Sequence, residues 1–156
     1  MHNSTANSYD DIEIGEHFVT PGITVSESHV LGFAGLTGDF MPHHVDETFA
    51  KELGFKGRLA HGLLVLSLVD GLKNRAKVQF DVLAALNWQD WRFLKPVYVG
   101  DRIHAEIEIR DKRPTRNETR GIVTLAIRVL NQDGEVVQEG ENQLMLLRRP
   151  TGKTPD

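Results

Sequence analysis

The second half of the chain alternates apolar and polar residues with a period of two, a pattern that restricts the fold more than any other feature. One face of the expected strand would carry Ile103, Ala105, Ile107 and Ile109. Residues 121–129 repeat the period, and Asp133-Gly134 separates them from the next apolar stretch, residues 136–147. Asp-Gly between two such runs is a strong hairpin signal. The pattern therefore predicts an antiparallel sheet, to which residues 91–94 add a strand.

An apolar run at residues 62–69, Gly-Leu-Leu-Val-Leu-Ser-Leu-Val, has no polar face. Periodicity alone does not separate a buried strand from a buried helix here. The leucine content and the more polar residues 71–75 favour a helix surrounded on all sides by other elements. Together with the predicted sheet, this helix indicates an α+β fold.

Two shorter helices are expected before this run. Ser26 or Ser28 can cap the first, and Asp46 can cap the second. Residues 39–45 lie between them and contain a proline, which disfavours helical backbone at the preceding residue. This segment is therefore predicted to be an extended loop.

Length and composition limit the class of protein. A chain of 156 residues is expected to form one domain, here residues 9–149, with a disordered tail at 1–8 and a flexible C-terminal tail at 150–156. The absence of cysteine excludes disulfides, thiolate nucleophiles and cysteine-built metal sites.

With 18 basic and 22 acidic residues, no nucleic-acid partner is expected. No apolar run approaches the roughly 20 residues of a membrane span, and no signal peptide is visible, so we expect a cytoplasmic protein without membrane association.

Three features before the sheet could carry chemistry. Asp39 and His44, on either side of a proline, could act as an acid/base pair on a water molecule. His61-Gly62 precedes the predicted buried helix, where free backbone N–H groups could hold an oxyanion. On these residues alone, Asp39 could equally be a turn residue, His44 a structural histidine and Gly62 a packing glycine.

A metal site is also conceivable at His43, His44 and Asp46. Adjacent side chains rarely converge on one ion without further ligands, so no metal is expected.

Read together, these residues resemble the MaoC-like dehydratase family, which includes the R-specific enoyl-CoA hydratases. The family pattern is Ser/Thr-Gly-Asp-x-Asn-Pro-x-His-x-Asp, followed by His-Gly-Met/Leu-Leu. This sequence has Thr-Gly-Asp-Phe-Met-Pro-His-His-Val-Asp at residues 37–46 and His-Gly-Leu-Leu at residues 61–64. Residues 93–97 and 100–103 resemble the family's Phe-x-x-Pro-Val and Gly-Asp stretches, and the resemblance covers residues 9–147.

The resemblance implies a hotdog fold, an antiparallel sheet wrapped around a long central helix, which here would run from His61-Gly62 to about Lys77. It implies reversible hydration of a trans-2-enoyl-CoA or acyl-carrier thioester to the (R)-3-hydroxyacyl thioester, without a cofactor. Asp39 and His44 would be the catalytic pair, and the site around Gly62, His61 and Met41 would bind the substrate and its thioester oxygen. A homodimer or a dimer of dimers is expected, with basic residues near the entrance as possible phosphate contacts: Lys51, Lys56 and Arg58.

One departure from the family pattern keeps alternatives open. Met41 stands where the family usually has an asparagine, and a methionine side chain offers no hydrogen-bond donor. The chain could therefore be a non-catalytic, acyl-binding subunit of a heterodimeric dehydratase. A hotdog thioesterase is the other alternative, with Asp70 as the only carboxylate candidate on the central helix.

Overall fold

The structure is a computed structural model that describes residues 6–149. The predicted tail at 1–8 is too long, because Asn7 and Ser8 are tied to the domain. The N–H of Asn7 donates to the Gln79 carbonyl at 2.7 Å, and Ser8 is buried and donates from both its backbone N–H and its hydroxyl to Asp11. The predicted C-terminal tail, 150–156, lies outside the described residues.

Four helices stand in the described part of the chain: α1 at Glu27–Thr37, α2 at Pro42–Val45, α3 at Glu47–Glu52 and α4 at Gly62–Lys73. The predicted caps are confirmed. Ser26 caps α1, and Asp46 caps α3 by accepting from the N–H of Phe49 at 3.0 Å.

Six strands form one antiparallel sheet in this part of the chain. They are β1 at His17–Val19, β2 at Ile23–Thr24, β3 at Val82–Phe93, β4 at Arg102–Pro114, β5 at Arg120–Leu130 and β6 at Val136–Leu147. The order is β1-β4-β5-β6-β3, with β2 pairing β4 next to β1. The predicted β5–β6 hairpin is confirmed, and β3 forms an edge of the sheet.

The core lies between α4 and the inner face of the sheet. The apolar residues of β4 that alternate in the sequence are buried, as predicted: Ile103, Ala105, Ile107 and Ile109. Val65 and Val69 of α4 join the same core cluster. The helix is not surrounded on all sides, however, because the sheet covers only one face, and Leu63 on the opposite face stays 59% exposed.

Three predicted boundaries are wrong for identifiable reasons. Residues 42–45 are helical, since the proline occupies the first turn, where its missing N–H costs no hydrogen bond; residues 39–41 remain a loop, as predicted, with Met41 extended. The central helix ends at Lys73 rather than near Lys77, because the chain turns at Asn74 to reach β3. The strand predicted at 91–94 begins nine residues earlier, at Val82.

Among residues 6–149, no helix is long and apolar enough to cross a membrane.

Candidate active site

The backbone of the segment after α1 brings Asp39 and His44 together. Gly38 ends α1 in the left-handed conformation, with φ of 79°, so the chain leaves the helix axis at Asp39. The N–H of Met41 donates to Asp39 Oδ1 at 3.3 Å, and the carbonyl of Met41 accepts from the N–H of His44 at 2.9 Å. Met41 therefore links the two predicted catalytic residues through its backbone, while its side chain is exposed.

His44 is buried in one defined tautomer. Its Nδ1 lies 2.8 Å from the carbonyl oxygen of Leu59. A carbonyl only accepts hydrogen bonds, so Nδ1 carries the proton and Nε2 of the neutral ring has a lone pair. Burial lowers the pKa of His44; the Leu59 contact opposes this effect, and the neighbouring His61 and His43 add to it. The imidazole is thus kept neutral at neutral pH and can accept a proton at Nε2.

His61 connects the start of α4 to the same segment. Its side chain is 3% exposed, and Nε2 donates to the carbonyl of Asp39 at 2.9 Å. The ring stacks on His44 with centroids 3.7 Å apart and planes 24° apart. Its other nitrogen, Nδ1, is buried and has no hydrogen-bond partner within the described residues. His61 therefore fixes both the main chain of Asp39 and the plane of the His44 ring.

Asp39 itself is exposed beside the two buried imidazoles. One donor atom each of Asp39, His44 and His61 lies within 4.8 Å of the others, which is a spacing that could hold a metal ion. In the described chain, His43 and Asp46 join no such group. The expectation of no metal stays a prediction.

Gly62 is the first residue of α4 and borders a groove. His61, the N-cap residue, makes no side-chain cap, so the first N–H groups of the helix are left for another acceptor. A groove of about 300 Å³ is lined by His44, Gly62 and mostly apolar neighbours, among them Val65, Phe93 and Val97. A methyl group added at Gly62 would lie 2.8 Å from two atoms of the Phe93 ring. The Phe93 ring therefore packs directly against Gly62, and any larger side chain there would displace one of the two.

The structure thus brings together Asp39, His44 and His61, with Gly62 directly following. Sequence reasoning assigned no role to the Leu59 carbonyl, which acts through its backbone and carries no residue-type signal. It assigned none to Phe93 either, although this residue begins the stretch that resembles the family's Phe-x-x-Pro-Val. Two further histidines, away from this cluster, are half-buried. His29 Nδ1 accepts from the N–H of Ser26 at 3.1 Å, and Nδ1 of His104 is buried.

Comparison with known proteins identifies the family. Residues 10–129 match the family model described as "MaoC like domain". An (R)-specific enoyl-CoA hydratase of Aeromonas caviae is 35% identical over 115 residues, 73% of this chain and 81% of that protein. An uncharacterized Bacillus subtilis protein is 34% identical over 144 residues, 89% and 98% of the two chains.

A solved structure supports the same fold. A Mycobacterium tuberculosis protein described as a double hotdog fold superposes with a TM-score of 0.84 at 24% identity, over 97% of this chain and 47% of that one. The chain has the hotdog fold and belongs to the MaoC-like dehydratase family of hydro-lyases, whose members include enoyl-CoA hydratases and 3-hydroxyacyl-CoA dehydratases.

Proposed function

We propose that the protein catalyses reversible hydration of a trans-2-enoyl thioester to the (R)-3-hydroxyacyl thioester. One observation carries the proposal: an oxygen of the Asp39 carboxylate and a ring nitrogen of the neutral His44 lie within 4.8 Å of each other, and His44 lines the same groove as Gly62 at the uncapped N-terminus of α4. This addition requires an acid/base pair that activates a water molecule and a hydrogen-bond donor that stabilises the developing oxyanion.

In the proposed reaction, Asp39 and His44 Nε2 hold one water molecule between them. The water oxygen bonds to C3 while one of its protons passes to the pair, with Asp39 as the base and His44 orienting the water. The electrons of the C2–C3 double bond move toward C2 and the thioester oxygen, which accepts a hydrogen bond from the N–H of Gly62. The proton is then delivered to C2, so that one water is consumed and no cofactor is needed.

The substrate class follows from the family and from the groove. The apolar lining at Val65, Phe93 and Val97 suits the acyl part of an acyl-CoA or acyl-carrier thioester. Lys51 already pairs with Glu47 at 3.1 Å, and Arg58 with Glu27 at 2.8 Å, which makes these two poorer candidates for phosphate contacts than the sequence suggested.

We also propose that the protein acts as a homodimer, alone or as a dimer of dimers, in the cytoplasm. The edge strand β3 exposes Val82, Leu83 and Leu86, and Leu63 on the uncovered face of α4 is also exposed. A second copy of the chain could cover these apolar residues, whose exposure in a lone chain would be unfavourable.

The two alternatives make different demands on the structure. A thioesterase that used Asp70 would need this carboxylate near the groove, but Asp70 lies eight residues beyond Gly62, about 12 Å along the helix axis, and pairs with Lys73 at 2.8 Å. A non-catalytic subunit would tolerate loss of the acid/base pair. Here both residues are present, and the backbone of Met41 supplies a contact to Asp39.

The test follows loss of the enoyl absorbance of crotonyl-CoA with wild type, Asp39→Asn and His44→Ala. We expect each substitution to lower kcat by about 10²-fold or more. Asp70→Asn is the matched control and should keep wild-type hydration. Release of free thiol, measured with a disulfide reagent, would instead identify a thioesterase. Equal hydration rates in all four proteins would refute the proposal.

A further inference from the structure

A bulge in β3 turns an indole ring toward the start of α4. The β3–β6 register shifts between Gln89 and Arg92, and Asp90 has a φ of 48°. A Cβ atom on Gly140 would lie 2.6 Å from the Trp91 ring and 2.8 Å from Trp91 Cα, so only glycine leaves room for Trp91 on β6. A non-glycine residue in the left-handed region is costly, and such strain often accompanies a functional requirement.

Gln138 of β6 links this indole to α4 through two hydrogen bonds. The Trp91 Nε1–H donates to Gln138 Oε1 at 3.0 Å, and Gln138 Nε2 donates to the carbonyl of Gly62 at 3.0 Å. An indole nitrogen only donates and a carbonyl only accepts, so the orientation of the amide is determined by its two partners. The side chain is 2% exposed, a position where an apolar residue would avoid the desolvation cost of an amide.

The contact acts on the peptide group that begins α4. The bond from Gln138 holds the peptide plane between Gly62 and Leu63, which is joined through the Gly62 Cα to the preceding peptide that carries the Gly62 N–H. The Phe93 ring packs against Gly62 from the side of the groove. His61, by contrast, supplies no side-chain cap to this helix. The direction of the first free N–H groups therefore depends on contacts from β3 and β6 rather than on a cap.

We infer that Gln138, held by Trp91, is a positioning residue: by holding the Gly62 carbonyl it fixes the Gly62 Cα, which also carries the Gly62 N–H, and so the direction of that N–H toward the thioester oxygen. The inference rests on the proposed function, because it assigns Gln138 a role in the same reaction. Donors of this kind are effective only when they are fixed before the reaction, and a displacement of about 1 Å can cost about 10²-fold in rate.

The first experiment reports on Gly62 without any catalysis. His-Gly occurs once in the sequence, at residues 61–62, so protein labelled with ¹³C-carbonyl histidine and ¹⁵N-glycine gives a single amide signal from Gly62. Gln138→Leu and Trp91→Phe should shift this signal. Gln143→Leu is the matched control, since Gln143 lies on the same strand but bonds Thr124 and Asn87. An unmoved Gly62 signal in Gln138→Leu would overturn the inference.

The second experiment measures hydration kinetics with crotonyl-CoA. Gln138→Leu should lower kcat about 10- to 100-fold with little change in KM, because the hydrogen bond from the Gly62 N–H to the thioester oxygen is strongest in the transition state. Gln143→Leu should change neither. A shifted Gly62 signal with unchanged kcat would overturn the positioning role alone, whereas an inactive wild type would refute the proposed function as well.

A third variant separates positioning from loss of packing. In Gln138→Glu, the introduced carboxyl can replace both contacts of the amide only when protonated, since its O–H then donates to Gly62. Burial raises carboxyl pKa values, which brings this titration toward the working range. The ratio of variant to wild-type kcat should therefore rise as the pH falls, and a ratio independent of pH would contradict the inference. This variant also carries the test if Gln138→Leu does not fold.

Discussion

Substitution of Gly62 by alanine should separate activity from stability. The added methyl group would lie 2.8 Å from Phe93 Cε2 and Cζ, whereas carbon atoms in favourable contact are about 3.5–4.0 Å apart. Either the ring or the start of α4 must therefore move by about 0.7–1.2 Å. A displacement of this size, whether of the helix start that carries the donor or of the ring that lines the groove, predicts a fall in kcat/KM of about 10²-fold.

The free energy of unfolding should change much less. Phe93 is 57% exposed at the end of β3, so its ring can move without opening the core. Alanine is also favoured over glycine within helices by about 0.5–1 kcal/mol. We therefore expect a net change within about 1 kcal/mol, measured by urea denaturation alongside enoyl-CoA hydration.

Two further variants test this reasoning. Gly71→Ala is the matched control in the same helix, because its added methyl group meets no atom within 4 Å; it should leave kcat/KM unchanged and stabilise the fold by about 0.5–1 kcal/mol. Combining Gly62→Ala with Phe93→Ala removes the clash and should recover much of the lost activity. Full activity of Gly62→Ala, or a double variant no better than the single one, would refute the reasoning.

The remaining predictions concern titration, packing and assembly. Because burial lowers the pKa of His44 below the ordinary 6.5, protonation opposes folding, and stability should fall as the pH drops through 6.5 toward the lowered value. The negative charge of Asp39 raises the pKa of His44 slightly, so Asp39→Asn should lower this pKa further, as an NMR titration of the His44 ring protons would show; an unchanged value would contradict the proximity of the two side chains. Leu72→Ala, at a site 2% exposed, should cost about 2–5 kcal/mol in urea denaturation, and a loss below 1 kcal/mol would contradict the core assignment. Leu86→Arg on the edge strand should shift the expected dimer toward monomer in analytical ultracentrifugation, and an unchanged dimer would place the interface elsewhere.

Local patterns in the sequence predicted those parts of the fold that local physics determines. The alternation in β4 and β5 and the Asp133-Gly134 turn predicted the hairpin and the buried face, because a period of two has one structural meaning when one face is apolar. The first half of β3 was missed, since its register shifts between Val82 and Ala84 and again between Ala85 and Asn87, and bulges break the alternation.

The residues of the candidate site could be predicted from the sequence, but the contacts that orient them could not. Asp39, His44 and Gly62 could be named because their types and spacing match a family pattern. The contacts that orient them could not be predicted from spacing, because they come from main-chain groups and distant strands: the Leu59 carbonyl fixes the tautomer of His44, and Gln138 reaches Gly62 across 76 residues. Such contacts exist only once the sheet has closed on α4.

The most direct test of the central claim is a double-mutant cycle on the acid/base pair. If Asp39 and His44 act on one water as a unit, Asp39→Asn, His44→Ala and the double variant should lose crotonyl-CoA hydration by similar factors, because either single change already disables the pair. Losses that multiply in the double variant would show that the two residues act independently and would contradict the account.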